Sequence, residues 1–336
     1  MSLINVCNLS KDYKLNKNKK GIWGSLNNLI NPEYEIKHAV NSISFSIDKG
    51  EMVGFVGPNG AGKSTTVKML TGILVPTSGS ITVSSLVPHR DRKTYTKKIG
   101  VVFGQRTQLW WDLPIDDTFD LLKHIYCIPN HVFKKNMEIF SDLLGLKDFL
   151  NHPVRQLSLG QRMRADIAAA LLHDPEIIFF DEPTIGLDVV AKDKVRDFLN
   201  YINKEKNITM LFTTHDMVDI EKTCKRMIII DAGNLIYDGT VQHIKDLHNK
   251  EKTIIIELNE KYDNICLPNV SAVRENDKKY RVTFNKDEVN ISNLINTLVN
   301  KYDVLDLTIK EPEIESIIRE IYGKGLCIDE SIPRIS

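Results

Sequence analysis

The segment GPNGAGKST at residues 57–65 is the feature that most limits how this chain can fold. It matches the pattern G-x-x-x-x-G-K-[ST], and it stands between the apolar run EMVGFVG and the helix-like run KSTTVKMLTGIL. Glycines allow backbone N–H groups to approach phosphate oxygens closely, and the N-terminus of the following helix adds a favourable dipole. The pattern therefore predicts a strand, a tight loop and a helix that together hold the phosphates of a nucleotide.

This phosphate loop, residues 57–65, predicts roles for individual side chains. We expect Lys63 to reach the terminal phosphates and Ser64 to bind Mg²⁺. A chance glycine-rich turn is the alternative, and the strand and helix signals on either side of the loop argue against it. The residues expected to contact the phosphates are Gly57, Pro58, Asn59, Gly60, Ala61, Gly62, Lys63, Ser64 and Thr65.

Short apolar runs elsewhere in the chain predict an α/β fold. The runs at 99–105, 176–182, 208–215 and 226–233 have the length and composition of buried strands, and helix-like segments separate them. This alternation is typical of a parallel sheet with helices on both faces. Residues 115–150 have helical spacing and no convincing strand, which indicates a helical insert in the same domain.

The chain is also long enough to predict two domains. A length of 336 residues exceeds the size at which single cores usually stop growing. Alternating apolar and polar residues at 2–9 and 40–47 predict half-buried strands in the first domain. We place that domain at residues 1–243, with its helical subdomain near 106–160, and a small α+β domain at 244–336 where the sequence pattern changes.

Composition limits the partners that the chain can recruit. Lys plus Arg and Asp plus Glu both number 44, so no overall field attracts nucleic acid or an anionic membrane, and no nucleic-acid partner is expected. Five scattered cysteines without a C-x-x-C pair argue against a disulfide framework or zinc site and favour a reducing cytoplasm. No apolar run approaches the roughly 18 residues of a membrane span. If the protein moves something across a membrane, another polypeptide must supply the pore.

Polar residues follow the predicted strands where α/β sheets bind their ligands. Asp181 is suited to hold Mg²⁺, and Glu182 to polarise an attacking water as general base. The alternative is that these two acids only cap a helix. We expect His215 to contact the γ-phosphate and orient the water, although a lone histidine at a strand end is more often structural. The amide of Gln105 can donate to a bound water and accept near a metal.

The ordered set of motifs carries a family resemblance. In chain order, GPNGAGKST, Gln105, LSLGQ, IIFFDE, IGLD and His215 are similar to the motifs of the nucleotide-binding subunit of an ABC transporter. The resemblance covers residues 1 to about 240. It implies a P-loop NTPase fold with a parallel RecA-like sheet, a small antiparallel β part and a helical subdomain. It also implies ATP and Mg²⁺ as cofactors, ATP hydrolysis as the activity, and Ser64, Gln105 and Asp181 as metal ligands.

The same resemblance implies that each ATP is shared between two subunits. Ser158, Gly160 and Gln161 resemble the signature segment, which touches the γ-phosphate held by the other subunit. Two identical or paralogous cassettes would therefore face head to tail, with Asp188 of IGLD communicating across their interface. An aromatic residue near the N-terminus is expected to stack on adenine. Tyr13 is the match and Tyr34 its rival, because an insert of roughly twenty residues follows Tyr13.

One position departs from the family pattern. Leu159 replaces the usual glycine at the third position of the signature segment. A leucine with positive φ would be strained by about 1 to 2 kcal/mol, so we expect ordinary backbone geometry there. Ser158 is also a good N-cap for the helix-forming run after it, and this local role is compatible with phosphate binding.

The segment QRTQLWWDLPIDDTF at 105–119 concerns the membrane partner. The resemblance implies that it faces integral membrane permease subunits, for which Trp110 and Trp111 would be apolar anchors. The alternative is that both tryptophans pack inside the helical insert. QLWWDLP and GLDVVAK look most like exporter ATPases with separately encoded permeases, which places the protein on the cytoplasmic face of the cell membrane. A non-transport ATPase acting on ribosomes or DNA is the alternative function, and the single motif set disfavours it.

Overall fold

The computed structural model describes residues 2–16, 34–104, 106–214, 216–247, 251–262, 265, 267–310, 314, 315, 317 and 318. The chain forms two compact units, Met1–Asp238 and Gly239–Ser336. Among the described residues, no helix combines the length and the apolar composition needed to cross a bilayer.

The first unit is built on a six-stranded sheet. Its strands are β3 (Met52–Val56), β5 (Ile99–Phe103), β6 (Ile177–Asp181), β7 (Thr209–Thr213), β8 (Arg226–Asp231) and β9 (Asn234–Thr240). Their order across the sheet is β5-β6-β7-β3-β8-β9, and the pairs β5–β6, β6–β7, β7–β3 and β3–β8 are parallel. The short apolar runs become these strands because a sheet covered on both faces buries every side chain. Parallel pairing also aligns the carboxyl ends of β3, β6 and β7 along one edge.

A second, antiparallel sheet lies in the same unit. It contains β1 (Ser2–Asn16), β2 (Tyr34–Asp48) and β4 (Ser78–Val83) in the order β2-β1-β4. Both β1 and β2 extend beyond the predicted segments at 2–9 and 40–47. Their apolar residues join one core cluster with residues of the parallel sheet, including Val53, Phe55 and Phe179.

Helices complete the first unit, and several of them follow strands of the parallel sheet. They are α1 (Lys63–Leu70), α2 (Arg92–Tyr95), α3 (Ile115–Ile125), α4 (Asn130–Leu144), α5 (Leu159–Leu171), α6 (Val189–Lys206) and α7 (Met217–Thr223). A short 3₁₀ turn at Val154–Gln156 precedes α5. The helices α3, α4 and α5 fall in and just after the stretch where helical spacing was predicted. In α4, Gly145 ends the helix with left-handed geometry, which glycine adopts without steric cost.

The second unit contains a small α+β fold. It has α8 (Val241–Leu247), β10 (Glu251–Leu258), β11 (Val270–Arg274), β12 (Lys279–Asn285), α9 (Ile291–Lys301) and β13 (Val304–Lys310). The four strands form an antiparallel sheet in the order β11-β12-β10-β13. Every second residue of β10, from Ile254 to Leu258, is buried, as are Leu294 and Leu298, one turn apart on α9. This unit therefore has a core of its own.

Candidate functional site

The phosphate loop connects β3 to α1, and its backbone needs glycine at particular positions. Gly62 caps α1 with φ 108°, in the left-handed region that L side chains avoid. A Cβ atom on Gly62 would lie 2.5 Å from the carbonyl oxygen of Ala39, and one on Gly57 would lie 2.4 Å from that of Ile230. The loop therefore packs backbone to backbone against neighbouring segments, which fixes the direction of its N–H groups.

Lys63 lies at the centre of this loop. Its side chain is only 6% exposed. Its Nζ donates to the carbonyl oxygens of Gly57 at 2.6 Å and Pro58 at 3.1 Å. Burial lowers the pKa of Lys63, while the carboxylates of Glu182 and Asp181 act in the opposite direction. The loop thus holds a buried ammonium group within reach of two acids.

Asp181 ends β6 beside two hydroxyl groups. Ser64 Oγ donates to Asp181 Oδ1 at 3.2 Å, and Thr213 Oγ1 donates to the same oxygen at 2.7 Å. Parallel pairing of β6 with β7 creates this contact, because Asp181 and Thr213 are register partners. Hydroxyl and carboxylate oxygens are ligands that Mg²⁺ accepts, so Ser64 and Asp181 fit that ion. Among the described residues, no group of three or more His, Cys, Asp or Glu is placed to hold a metal ion.

Glu182 has an unusual backbone conformation. Its φ is 55°, in the left-handed region, which costs a residue other than glycine about 1 to 2 kcal/mol. Its N–H donates to Thr213 O at 3.0 Å. A Cβ atom on Gly104 would lie 1.9 Å from the carbonyl oxygen of Glu182, so only glycine fits beside it. The surrounding strands therefore hold Glu182 in a conformation that its sequence does not favour, as often occurs at functional sites.

Lys63, Ser64 and Glu182 line one open cleft with a volume of about 410 Å³. Further residues of the phosphate loop line it as well, together with residues of β1 and β2, among them Tyr13, Lys37 and Ala39. The Nζ of Lys11 lies 5.5 Å from the centre of the Tyr13 ring. Tyr34 is 53% exposed and is not among the cleft residues. Of the two rival tyrosines, the structure thus brings Tyr13 to the cleft.

The signature segment lies at the N-terminus of α5, which we call the signature helix. Ser158 caps it in a reciprocal arrangement: Ser158 N donates to Gln161 Oε1 at 2.9 Å, and Gln161 N donates to Ser158 Oγ at 3.2 Å. The predicted N-cap is confirmed. Leu159 is the first helical residue and does not have positive φ, which confirms its predicted ordinary backbone. Ser158, Gly160 and Gln161 do not line the cleft of their own chain.

Asp188 belongs to a segment that contacts this helix tip. It caps α6, with Oδ1 accepting from Ala191 N at 2.8 Å. A Cβ atom on Gly186 would lie 2.7 Å from Leu159 Cδ2, so the IGLD segment packs against the start of the signature helix. The sequence did not predict this capping role for Asp188.

Gln105 and His215 lie outside the described residues, so their roles stay predictions.

Two buried acids of this unit were not predicted from the sequence. Asp219, fully buried on α7, accepts hydrogen bonds from Thr184 and Arg196 and so fixes the loop after Glu182. The other, Asp166, is on the signature helix. The only sequence signal for it is an acid within the apolar run ADIAAALL.

Trp110 and Trp111 are exposed to 41% and 51%. The alternative that both pack inside the helical insert is therefore wrong. The guanidinium carbon of Arg162 lies 5.8 Å from the Trp111 ring, which leaves the pair on the surface beside the signature helix.

The phosphate loop between β3 and α1, the acids at the end of β6 and the parallel strand order define a P-loop nucleotide-binding domain. Comparisons with known proteins narrow this class. A family model described as ABC transporter matches residues 40–185. The chain is 35% identical over 217 residues to the ABC transporter ATP-binding protein NatA of Bacillus subtilis (strain 168), covering 65% of this chain and 88% of NatA.

Two further similarities cover a larger share of this chain than the match to NatA does. The linearmycin resistance ATP-binding protein LnrL of the same organism is 30% identical over 305 residues, which cover 88% of this chain and 97% of LnrL. A dimeric structure of the ATP-binding cassette MJ0796 in a post-hydrolysis state, bound to ADP and Pi, has a TM-score of 0.59 and 28% identity, and the match covers 71% of this chain and 98% of that chain.

The chain therefore belongs to the family of ABC transporter ATP-binding proteins. It binds ATP and hydrolyses it as an ATPase of this family. The predicted family and the predicted α/β fold are both confirmed.

Proposed function

We propose that this chain is one of two cassettes that close on two ATP molecules and drive a separately encoded membrane permease to export its cargo. The second cassette is another copy of this chain or a paralogue. The observation that supports the proposal best is the position of Ser158, which caps an exposed helix tip and does not line the cleft that contains Lys63. A serine and N–H groups at a helix N-terminus suit a phosphate that another chain presents.

Within one chain, we assign the triphosphate to the phosphate loop. Lys63 exchanges the carbonyl oxygens of Gly57 and Pro58 for the terminal phosphate oxygens, because an anion offers a buried ammonium a stronger partner than a neutral carbonyl. Tyr13 stacks on the adenine, a role supported by its position among the residues that line the cleft.

The end of β6 supplies the residues for hydrolysis. Ser64 and Asp181 are the residues that would hold Mg²⁺, which neutralises phosphate charge when bound. Glu182 accepts the proton of the attacking water, a role supported by its place in the cleft and by the strained backbone that aims it there. Gln105 and His215 are proposed to position that water and the γ-phosphate.

The signature segment completes the site of the opposite cassette. Ser158, Gly160 and Gln161 present a hydroxyl group and N–H groups at a helix tip to the γ-phosphate. Asp188 lies at the same surface, since the IGLD segment packs against Leu159. In an isologous dimer each cassette contributes one loop and one tip to each of two sites.

The membrane partner is proposed to bind at Trp110 and Trp111. Two adjacent exposed tryptophans are the kind of rigid apolar anchor that dominates protein interfaces. Export is supported by the resemblance of QLWWDLP and GLDVVAK to exporter ATPases and by the name of LnrL, a resistance protein. The protein would then work at the inner face of the cell membrane, bound there through the permease.

The second unit is proposed to be an accessory domain. The division of the chain between Asp238 and Gly239 supports an ATP-binding domain at 1–243 and an α+β domain at 244–336. We assign the latter to stabilising the dimer or packing on the permease. Its removal should weaken assembly with the permease and leave ATP binding by the first domain intact.

The test of the ATP-bound dimer uses Glu182→Gln, which removes the proposed base and keeps the shape of the side chain. We expect this variant to form a dimer in saturating ATP and to stay monomeric in ADP, as measured by size-exclusion chromatography with light scattering. Addition of Ser158→Glu should abolish the dimer, since it places a carboxylate against the γ-phosphate. A Glu182→Gln variant that remained monomeric in saturating ATP would contradict the proposal.

The membrane partner and direction need separate measurements. Affinity purification of the tagged chain from detergent-solubilised native membranes should recover an integral membrane protein, and Trp110→Ala with Trp111→Ala should lose it. Recovery of RNA or DNA in its place would favour the alternative function. With the permease in inside-out vesicles, ATP should drive cargo into the lumen if the system exports.

A further inference from the structure

Asp166 is a buried acid that the proposed catalytic cycle does not use. It lies on the signature helix and is 4% exposed. Its Oδ1 accepts from Thr107 Oγ1 at 2.9 Å and from Gln108 N at 3.0 Å, and its carbonyl oxygen accepts from Gln108 Nε2 at 3.0 Å. Burial raises the pKa of Asp166 to about 6, against the opposing effects of these bonds and of Arg162. A carboxyl group in such a place is costly, so its contacts need an explanation.

The partners of Asp166, Thr107 and Gln108, lie at the start of the segment that carries the exposed tryptophans. We call residues 107–113 the tryptophan segment. Leu109 N donates to Thr107 Oγ1 at 3.1 Å, so the hydroxyl bound by Asp166 also shapes the next turn. The far end of the segment is joined to the residues that lead into the signature helix. There the N–H groups of Val154 and Arg155 donate to Leu113 O at 3.2 Å and Trp111 O at 3.0 Å.

We propose that Asp166 is a positioning residue that fixes the tryptophan segment to the signature helix, so that a displacement at Trp110 and Trp111 moves Ser158 as part of the same body. Ser158 lies eight residues before Asp166, which is about 12 Å along the helix axis. The inference rests on the proposed function, in which Ser158 completes the ATP site of the opposite cassette. It adds the residue that links the permease-facing surface to that site.

The side-chain ion pair across this junction is a weaker candidate for the link. Arg155 Nη1 donates to Asp112 Oδ1 at 2.6 Å, but the two side chains are 54% and 74% exposed. Exposed ion pairs contribute little, because water screens them and ordering long side chains costs entropy. Loss of Asp166 instead removes a buried carboxyl group that accepts from a hydroxyl and an N–H group, and hydrogen bonds to charged groups contribute more than exposed ion pairs.

Three variants disrupt the contact between Asp166 and the tryptophan segment to different degrees. Asp166→Ala removes the side-chain acceptor, Thr107→Val removes one of its two donors, and Asp166→Asn keeps an Oδ1 that accepts both. In ATP hydrolysis by the full-length protein, we expect Asp166→Ala to lower kcat about tenfold and Thr107→Val about threefold. Asp166→Asn should stay within twofold of the unaltered chain, as befits a conservative rescue. The Kd for ATP should change by less than about twofold in all three, because the phosphate loop is untouched.

Tryptophan fluorescence supplies a readout that simple loss of stability does not change. In a Trp23→Phe background, Trp110 and Trp111 are the only tryptophans of the chain. With Glu182→Gln to hold ATP, dimer formation should shift their emission, and Asp166→Ala should remove most of that shift. The matched control is Asn136→Ala on α4, which also removes a buried polar group, 1% exposed, that bonds Leu172 O at 3.0 Å outside the junction. This control should lower thermal stability and keep the shift.

The outcomes separate this inference from the proposed function. If Glu182→Gln itself stays monomeric in ATP, the proposed function fails and the link fails with it. If the dimer forms but Asp166→Ala keeps the emission shift and its kcat, only the link is wrong. The link is also overturned if Asn136→Ala and Asp166→Ala behave alike at equal loss of stability, or if Asp166→Asn is as impaired as Asp166→Ala.

Discussion

The phosphate loop and the tip of the signature helix each have a serine two residues from a glycine, yet the fold constrains them in different ways. In the loop, Gly62 has φ 108° and would clash with Ala39 O if it carried a Cβ. At the tip, a Cβ on Gly160 would find its nearest neighbour, Ala191 Cβ, at an ordinary 3.4 Å. The chain's own packing therefore requires the first glycine and does not require the second. The reason for Gly160 is better sought in a molecule that approaches the tip from outside.

Side-chain burial gives the same contrast. Lys63 is nearly buried and bound by the carbonyl groups of its own loop, whereas Ser158 is exposed at a helix end. A group held by its own loop can serve a ligand in that loop, and an exposed helix tip suits a ligand held elsewhere. A change in the loop should therefore impair ATP binding by the chain that carries it, whereas a change at the tip should impair only the dimer.

The largest expected effect comes from mixing two inactive variants. Lys63→Ala should lower ATP affinity about 10- to 100-fold and abolish hydrolysis, because a charged contact to phosphate is lost. Ser158→Glu should bind ATP normally as a monomer and also fail to hydrolyse it. In a mixed dimer, the intact loop of one variant meets the intact tip of the other. Each mixed dimer has one complete site of two, and neither variant dimerises with itself, so activity should recover to at most about half of normal.

The recovery is measured as phosphate release against the ratio of the two variants at constant total protein. A mixture of Lys63→Ala with a Lys63→Ala/Ser158→Glu double variant is the matched control, since no combination of these chains contains a complete site. If the first mixture stayed as inactive as this control although mixed dimers formed, the loop and tip would belong to one chain's site and the proposed sharing of ATP would be wrong.

The next effect compares the two glycines. Gly62→Ala should lower the free energy of unfolding by about 2 to 5 kcal/mol, through left-handed strain and the contact with Ala39 O. Gly160→Ala should leave it unchanged or raise it by up to about 1 kcal/mol, since alanine is the better helix former. Urea denaturation measures both values.

Gly160→Ala should affect dimer formation in the opposite direction from folding stability. In the Glu182→Gln background, Gly160→Ala should weaken the ATP-dependent dimer although the monomer is at least as stable. A Gly160→Ala chain that dimerised with unchanged affinity would mean that no partner approaches this glycine closely.

Local sequence patterns were sufficient to predict the parts of the site that are contiguous in the chain. The phosphate loop, the acids at the end of β6 and the cap of the signature helix each depend on a few neighbouring residues, so their residue types indicate the geometry. The left-handed backbone of Glu182 could not be predicted, because strand pairing with β7 and the space left by Gly104 impose it.

Contacts between residues far apart in the chain also could not be predicted from the sequence. Asp166 and Thr107 are 59 positions apart, and Asp219 and Arg196 are 23 apart. Tertiary packing alone brings these pairs together, and a single acid in an apolar run does not indicate which donor it meets. The exposure of Trp110 and Trp111 was likewise undecided, since both a core and an interface use tryptophan.

The smallest predicted effect concerns how the tip is held within its own chain. Gly186 has φ 71°, and a Cβ there would lie 2.7 Å from Leu159 Cδ2. Gly186→Ala should cost about 1 to 2 kcal/mol from backbone strain, plus a smaller term from this contact. The contact term should vanish in a Leu159→Ala background, whereas the strain should remain. Urea denaturation of the four chains in this double-mutant cycle separates the two terms. Coupling of at least about 0.5 kcal/mol would identify Leu159 as the side chain that holds the IGLD segment against the tip. No coupling would mean that the two segments move independently. The tip would then be constrained even less by its own fold than the contrast between Gly62 and Gly160 indicates.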